Sequence, residues 1–141
     1  MSDFLNSDTF FLCLLAFTTD VCVSHDAHNL IVLGTNEDDM VLAANKVSEL
    51  GGGCVVVTRG TVLVVLPLPI AGLMSDLAVE EVAGRQLELR EAAYGLGITR
   101  EIDPFMTLAF VSLPVIPDLK LTSRGLVDVT VQQLVPLSSE F

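Results

Sequence analysis

The sequence predicts an α+β domain, a two-layer sandwich in which a mixed sheet of about five or six strands is covered by two main helices. The length of 141 residues fits one domain with its own hydrophobic core. Short apolar runs of strand length alternate with two longer segments whose apolar residues recur at helical spacing. The resulting order of strand, helix, hairpin, helix and strand suits two layers and is compatible with split-βαβ connectivity.

The first half of this pattern begins with a buried strand at residues 30–34 (LIVLG). A helix follows, with Thr35 or Asn36 as its cap and three carboxylates at residues 37–39, where the helix dipole favours negative charge. Gly51 is the expected end of that helix. An earlier apolar run, residues 10–17, is read as another buried strand or short helix.

A hairpin is predicted over residues 53–66, with its turn at residues 59–60 (RG). A second helix is predicted over residues 77–96, capped by Ser75 or Asp76. Its apolar stripe comprises Val79, Val82, Leu89, Ala93 and Leu96, with Gln86 in the same spacing.

Two further strands are predicted near the C-terminus, at residues 107–112 and 126–131. The short segment at residues 103–106 (DPFM) is read as a turn leading into the first of them.

The charge and the hydropathy of the chain limit the kinds of partner that it is expected to bind. With 18 acidic and 7 basic residues, the chain has a net charge of −11, and its cations are scattered, which argues against nucleic acid and anionic membranes. The longest apolar run near the start, residues 10–17, is shorter than the ~20 residues of a membrane span. A mean hydropathy of +0.63 favours an apolar surface that faces another domain or another copy. Three cysteines in apolar runs fit thiols in a reducing cytoplasm.

Both histidines lie in one hexapeptide, residues 24–29 (SHDAHN). His25, Asp26 and His28 could supply three metal ligands if the segment bends, since residues three apart on a strand point to opposite faces. Structural hydrogen bonding at a strand entrance and a polar lining turned toward a ligand are the alternatives. A catalytic triad within Ser24, His25 and Asp26 is excluded, because contiguous side chains diverge.

Other segments carry residues that a core does not require. The loop at residues 69–76 (PIAGLMSD), the DPFM segment and the Pro-rich residues 114–120 are each read as structural or as part of a functional surface. Residues 51–53 (GGG) close a helix and open a strand, the reverse of a phosphate-binding loop, and are read as a turn.

Taken together, these segments resemble the C-terminal domain of bacterial and archaeal adenine deaminase. The matching stretches are residues 24–29, 31–34 with the acidic turn ending in Met40, 51–53, 66–76 (LPLPIAGLMSD), 103–110 (DPFMTLAF), 113–122 (LPVIPDLKLT) and 124–129 (RGLVDV). The resemblance spans about residues 21–131. Residues 21–141 are therefore expected to form the family domain, and residues 1–20 form a segment with no assignment.

The resemblance implies an enzyme that hydrolyses adenine to hypoxanthine and ammonia on a barrel holding two metal ions, manganese or iron. Such a barrel takes ~200 residues or more and draws several histidines from separate strands. This sequence has 141 residues and two histidines, so the barrel is expected to be missing and the chain inactive alone. No cofactor is assigned to the chain itself.

Three hypotheses for the function of the chain follow. In the first, the chain is the accessory domain of an adenine deaminase, docked on a barrel domain or chain. His25, Asp26, His28 and Asn29, together with Met74, Ser75 and Asp76 of the 69–76 loop, then line or support the barrel's site. In the second, it is a stand-alone protein that binds a purine or a metal near the histidines. The third is a degenerate remnant that forms a homo-oligomer.

Overall fold

A computed structural model describes the backbone of residues 11–14 and the whole of residues 30–137. The described residues form seven strands and three helices. In chain order these are β1 (Phe11–Leu14), β2 (Ile31–Gly34), α1 (Glu37–Glu49), β3 (Gly53–Thr58), β4 (Thr61–Pro67), α2 (Val79–Gly95), α3 (Pro104–Val111), β5 (Leu119–Thr122), β6 (Gly125–Asp128) and β7 (Gln133–Val135).

The main sheet has the strand order β2-β1-β3-β4. Strand β1 pairs antiparallel with both β2 and β3, so β2 and β3 run parallel to each other on either side of it. Helix α1 connects these two parallel strands, which makes β2-α1-β3 a split βαβ unit. The split-βαβ connectivity, with which the predicted order of elements is compatible, is therefore present. The predicted α+β class is confirmed.

The strands differ from the prediction in how they are grouped. Strands β5, β6 and β7 form a separate three-stranded sheet, and every strand pair in both sheets is antiparallel. The described strands thus form two sheets in place of one mixed sheet. The spacing of apolar runs locates strands along the chain but carries no information on which strands pair.

Helix α1 begins and ends where the sequence predicts. The side chain of Asn36 accepts hydrogen bonds from the backbone N–H groups of Asp38 (2.9 Å) and Asp39 (3.2 Å). Gly51 follows the C-cap in the left-handed region (φ 68°), a conformation that glycine adopts without a steric penalty.

The hairpin β3–β4 is also confirmed, and its turn is tight. Arg59 (φ 50°) and Gly60 (φ 69°) both have positive φ, as the two central residues of a type I′ turn require. The five residues 53–57 of β3 are all buried, so both faces of this strand are covered. Cys54 lies on the side of β3 that α2 and α3 cover, Val55 and Val57 alternate with it along the strand, and α1 also contacts β3.

The start of α2 differs from the prediction. Its N-cap is Ala78, which provides no side-chain cap, so the expectation that Ser75 or Asp76 caps the helix is wrong. The hydroxyl of Ser75 instead accepts a hydrogen bond from the N–H of Leu77 at 3.3 Å. Ser75 thus stabilises the turn that precedes the helix.

Residues 107–112, predicted as a strand, belong mainly to helix α3. The carboxylate of Asp103 accepts hydrogen bonds from the N–H groups of Phe105 and Met106, both at 3.0 Å, and Pro104 occupies the first helical turn. The DPFM segment is therefore a helix start and not a turn into a strand. The error arises because a short apolar run fits a buried helix as well as a buried strand.

The C-terminal strand predicted at residues 126–131 is shorter and starts earlier, as β6. Cys54 is buried, as expected of a thiol in an apolar run, while Cys13 and Cys22 have side chains outside the described part. None of the helices in the described ranges combines the length and the hydropathy that crossing a bilayer requires.

Candidate functional site

An apolar groove of about 870 Å³ lies between α2, α3 and the loop that connects β4 to α2. Its floor is formed by Cys54, Leu66 and Leu68 of the hairpin region. The groove brings together two of the three loops singled out in the sequence, those at residues 69–76 and 103–106.

The 69–76 loop forms one rim. Ile70 and Met74 pair as an isolated antiparallel bridge, with backbone hydrogen bonds of 3.1 Å in both directions. This closes a small turn in which Ala71 (φ 57°) and Gly72 (φ 69°) have positive φ. The turn places Met74, which is 58% exposed, on the rim, and Ser75 also lines the groove. Asp76 is exposed to solvent and is not part of the lining.

The opposite wall is helix α3, which carries Phe105, Met106 and Phe110. Met106 is 57% exposed, so each rim of the groove presents a methionine. The Asp103 carboxylate that caps α3 also lies 3.6 Å from the Nε atom of Arg90 on α2. This pair joins the two helices at one end of the groove, but both side chains are more than one third exposed, so water weakens their attraction.

Helix α2 contributes Val79, Val82, Gln86, Leu89 and Arg90. Four of these belong to the stripe that predicted the helix, so the sequence located this wall without revealing that it borders a groove. The one signal was Gln86, a polar side chain in an otherwise apolar stripe. Phe110 lies outside the segments singled out as candidate functional surfaces, because residues 107–112 are predicted as a strand, whereas Phe105 belongs to the DPFM segment that was singled out.

The hexapeptide with His25, Asp26, His28 and Asn29 lies outside the described residues. Within residues 30–137, no group of three or more His, Cys, Asp or Glu side chains is arranged to bind a metal ion. The described residues therefore do not fit the two-metal centre that the resemblance implies, and no chemical step through a metal is assigned to them.

The two carboxylates whose pKa values are shifted, those of Glu91 and Asp128, do not line the groove. A bidentate pair joins Arg100 to Glu91 at 2.8 and 2.6 Å, and its hydrogen bonds lower the pKa of Glu91 and raise that of Arg100. Hydrogen bonds from the Thr130 hydroxyl and backbone lower the pKa of Asp128. Both sites are at the surface, which identifies them as local structural pairs.

The groove is thus largely apolar, with an exposed methionine on each rim and the Arg90–Asp103 ion pair at one end. Methionine is flexible and polarizable and adapts to varied partner surfaces. This arrangement suits the binding of apolar surface, either from another domain or from a ligand.

Comparison with known proteins gives one consistent result. Residues 16–133 match the family described as the adenine deaminase C-terminal domain. Among curated relatives, the chain is 52% identical over 116 residues to adenine deaminase 2 of Carboxydothermus hydrogenoformans. It is 54% identical over 115 residues to the adenine deaminase of Moorella thermoacetica, and 46% identical over 115 residues to that of Bacillus subtilis.

Each of these matches covers 82% of this chain but only 19–20% of the relative. The chain therefore spans about a fifth of the length of the curated relatives it matches. Given the family match over most of its length and about 50% identity to several relatives, the chain belongs to the adenine deaminase C-terminal domain family.

Proposed function

We propose that this chain is the accessory domain of an adenine deaminase and acts by packing against a catalytic domain that hydrolyses adenine to hypoxanthine and ammonia. The observation that carries the proposal is the pairing of high identity with partial coverage. The chain is 46–54% identical to proteins named adenine deaminase, yet it matches only about a fifth of each.

The exposed apolar surface supports a packed partner. Met74 and Met106 on the groove rims are both more than half exposed, which places apolar side chains in water at the mouth of a concave site. In the proposed complex, the loop at residues 72–76 approaches the mouth of the catalytic barrel and covers it. The His25–Asn29 segment has the same proposed role, as a lining or support of the site.

The metal chemistry is assigned to the partner. In this proposal, manganese or iron is held by the catalytic barrel and supplies an activated water molecule there. The residues of this chain bind the barrel and exclude water from its mouth. A place in purine salvage, a cytoplasmic location and assembly into homo-oligomers are further parts of the proposal.

The test is an adenine deamination assay with manganese or iron on the 141-residue chain alone and with a separately expressed catalytic part. The catalytic part is Bacillus subtilis adenine deaminase without the fifth that this chain matches. We expect no activity from the chain alone and a rise in deamination when the two are mixed. Deamination by the chain alone would contradict the proposal.

Calorimetry with adenine and elemental analysis of the purified chain distinguish the stand-alone alternative. Stoichiometric adenine or metal bound to the chain in the absence of any partner would favour that alternative over an accessory role.

A further inference from the structure

The C-terminal sheet, strands β5, β6 and β7, stands apart from the rest of the domain. The core cluster of buried residues ends at Leu108 on α3, and none of residues 113–137 is buried. Among the described helices and strands, none outside this sheet makes an extensive contact with it. A small antiparallel sheet gains its stability from a covered apolar face, and the described helices and strands supply no such cover to this sheet.

One face of the sheet is the more apolar. Leu121 pairs with Leu126, and Leu126 pairs with Val135, so these three side chains form a row across all three strands. Leu119 lies on the same face, two residues from Leu121. Leu119 and Leu121 are 52% and 50% exposed. We refer to Leu119, Leu121, Leu126 and Val135 as the docking face.

One polar side chain on this face, that of Asp128, is already hydrogen-bonded by a neighbouring residue. In the strand register, Asp128 lies opposite Leu119 on β5 and opposite Gln133 on β7. Its carboxylate accepts hydrogen bonds from the N–H (2.9 Å) and the hydroxyl (2.5 Å) of Thr130. A carboxylate that is already hydrogen-bonded at the edge of an apolar row does not need a cation from the partner.

The size of the docking face limits what can cover it. Strands of three or four residues and a width of three strands give a face of at most about 13 by 14 Å, on the order of 200 Å². Stable association of separate molecules buries about 800 Å² on each partner. A second copy of the chain therefore cannot be held by this face alone. A domain on the same polypeptide can be, because a short tether supplies an effective concentration of about 1 mM or more.

The net charge of residues 113–137 is also compatible with a neighbouring domain on the docking face. Residues 113–137 hold two carboxylates (Asp118 and Asp128) and two cations (Lys120 and Arg124), so this segment contributes nothing to the net charge of −11. The rest of the chain carries the whole negative excess. The C-terminal sheet is thus a part of the surface that a neighbouring domain can approach without requiring a basic counterpart.

We propose that the docking face packs against the catalytic domain of adenine deaminase and anchors this domain to it. The inference rests on the proposed function, and it goes further by naming the surface. The relatives supply the tether, because the matched fifth is part of one polypeptide with the remaining four fifths. In this arrangement the C-terminal sheet holds the domain in place while the groove rim faces the mouth of the barrel.

The test is hydrogen exchange on a chimera in which all 141 residues replace the matched fifth of Bacillus subtilis adenine deaminase. We expect backbone amides of residues 119–135 to exchange at least tenfold more slowly in the chimera than in the chain alone. Leu121→Glu should abolish this protection in the chimera. In the chain alone, the same substitution should change exchange much less than it does in the chimera, because Leu121 is already half exposed there.

Leu87→Glu is the matched control, since Leu87 is 60% exposed on α2 and lies outside both the groove and the docking face. It should leave the protection intact. Equal exchange in chimera and isolated chain, or protection that survives Leu121→Glu, would overturn the proposed anchor. Adenine deamination by the same chimera is a separate readout: an active chimera with an unprotected sheet refutes the anchor alone, whereas a protected but inactive one supports the anchor and contradicts the proposed function.

Discussion

Asp39, in the first turn of α1, holds the turn of the β3–β4 hairpin through Gly60. Its carboxylate accepts hydrogen bonds from the N–H of Gly60 at 2.6 Å and from the N–H of Arg59 at 2.9 Å. The side chain is only 3% exposed, which is unusual for an aspartate. One carboxylate thus satisfies two backbone donors of a tight turn and fastens the split βαβ unit to the strand that follows it.

Replacing Asp39 with alanine should lower the free energy of unfolding by about 2–4 kcal/mol, because two backbone N–H groups lose a charged acceptor in a partly buried site. Urea unfolding measures the change. Asp38→Ala is the matched control, because Asp38 is exposed in the same helical turn, and it should cost less than about 1 kcal/mol. Equal losses in the two variants would show that the contact with the turn contributes little.

Two substitutions at Asp103 separate its role as the N-cap of α3 from its ion pair with Arg90. Asp103→Ala removes the acceptor for Phe105 and Met106 and should destabilise the protein by about 1 kcal/mol, whereas Asp103→Asn keeps an equally good cap. The asparagine variant loses only the exposed pair with Arg90 and should remain within about 0.5 kcal/mol of the parent. If thermal unfolding shows both variants equally destabilised, the ion pair and not the cap positions α3.

The Glu91–Arg100 pair predicts a pH effect at low pH. The folded protein lowers the pKa of Glu91 from its ordinary 4.5, so the pair stabilises the fold above that value. The contribution is lost as the pH falls through the lower, folded-state pKa. In an NMR titration, Arg100→Gln should raise the pKa of Glu91 back toward 4.5. Arg100→Lys, which keeps the charge without the bidentate geometry, should give an intermediate value. An unchanged Glu91 pKa in Arg100→Gln would contradict this assignment.

Two glycines should respond to alanine in opposite directions. A Cβ atom on Gly53 would collide with the backbone carbonyl oxygen of Leu66 in the paired strand, and φ there is +153°. Gly53→Ala should therefore destabilise the protein by more than about 1 kcal/mol. Gly84 lies inside α2 with no atom within 4 Å of the added Cβ, so Gly84→Ala should stabilise by about 0.5–1 kcal/mol. Urea unfolding of both variants tests the pair, and changes of the same sign would contradict it.

The elements with strong local signals could be predicted from the sequence. Asn36, the carboxylates that follow it and Gly51 defined α1, and the dipeptide at residues 59–60 defined the hairpin turn, because caps and positive-φ turns depend on a few adjacent residues. Helix α3 carried such a signal too, in Asp103 followed by Pro104. It was outweighed by the apolar run after it, which at this length suits either a strand or a helix.

The groove depended on tertiary placement and could be predicted only in pieces. The composition of the loop at residues 69–76 and of the segment at residues 103–106 marks each as a candidate functional surface. They line one groove because residues 104–111 form helix α3, whereas the sequence pattern predicts a strand over residues 107–112. The separation of the C-terminal sheet from the other described strands is likewise a matter of strand pairing, which does not appear in a pattern of apolar residues.

Adenine deamination by three polypeptides tests the accessory role most directly. They are intact Bacillus subtilis adenine deaminase, the same enzyme without the fifth that this chain matches, and the chimera in which this chain replaces that fifth. An accessory domain predicts that the deletion lowers kcat/KM at least tenfold and that the chimera recovers most of the loss. Full activity after the deletion, or a soluble and folded chimera no more active than the deletion, would contradict it.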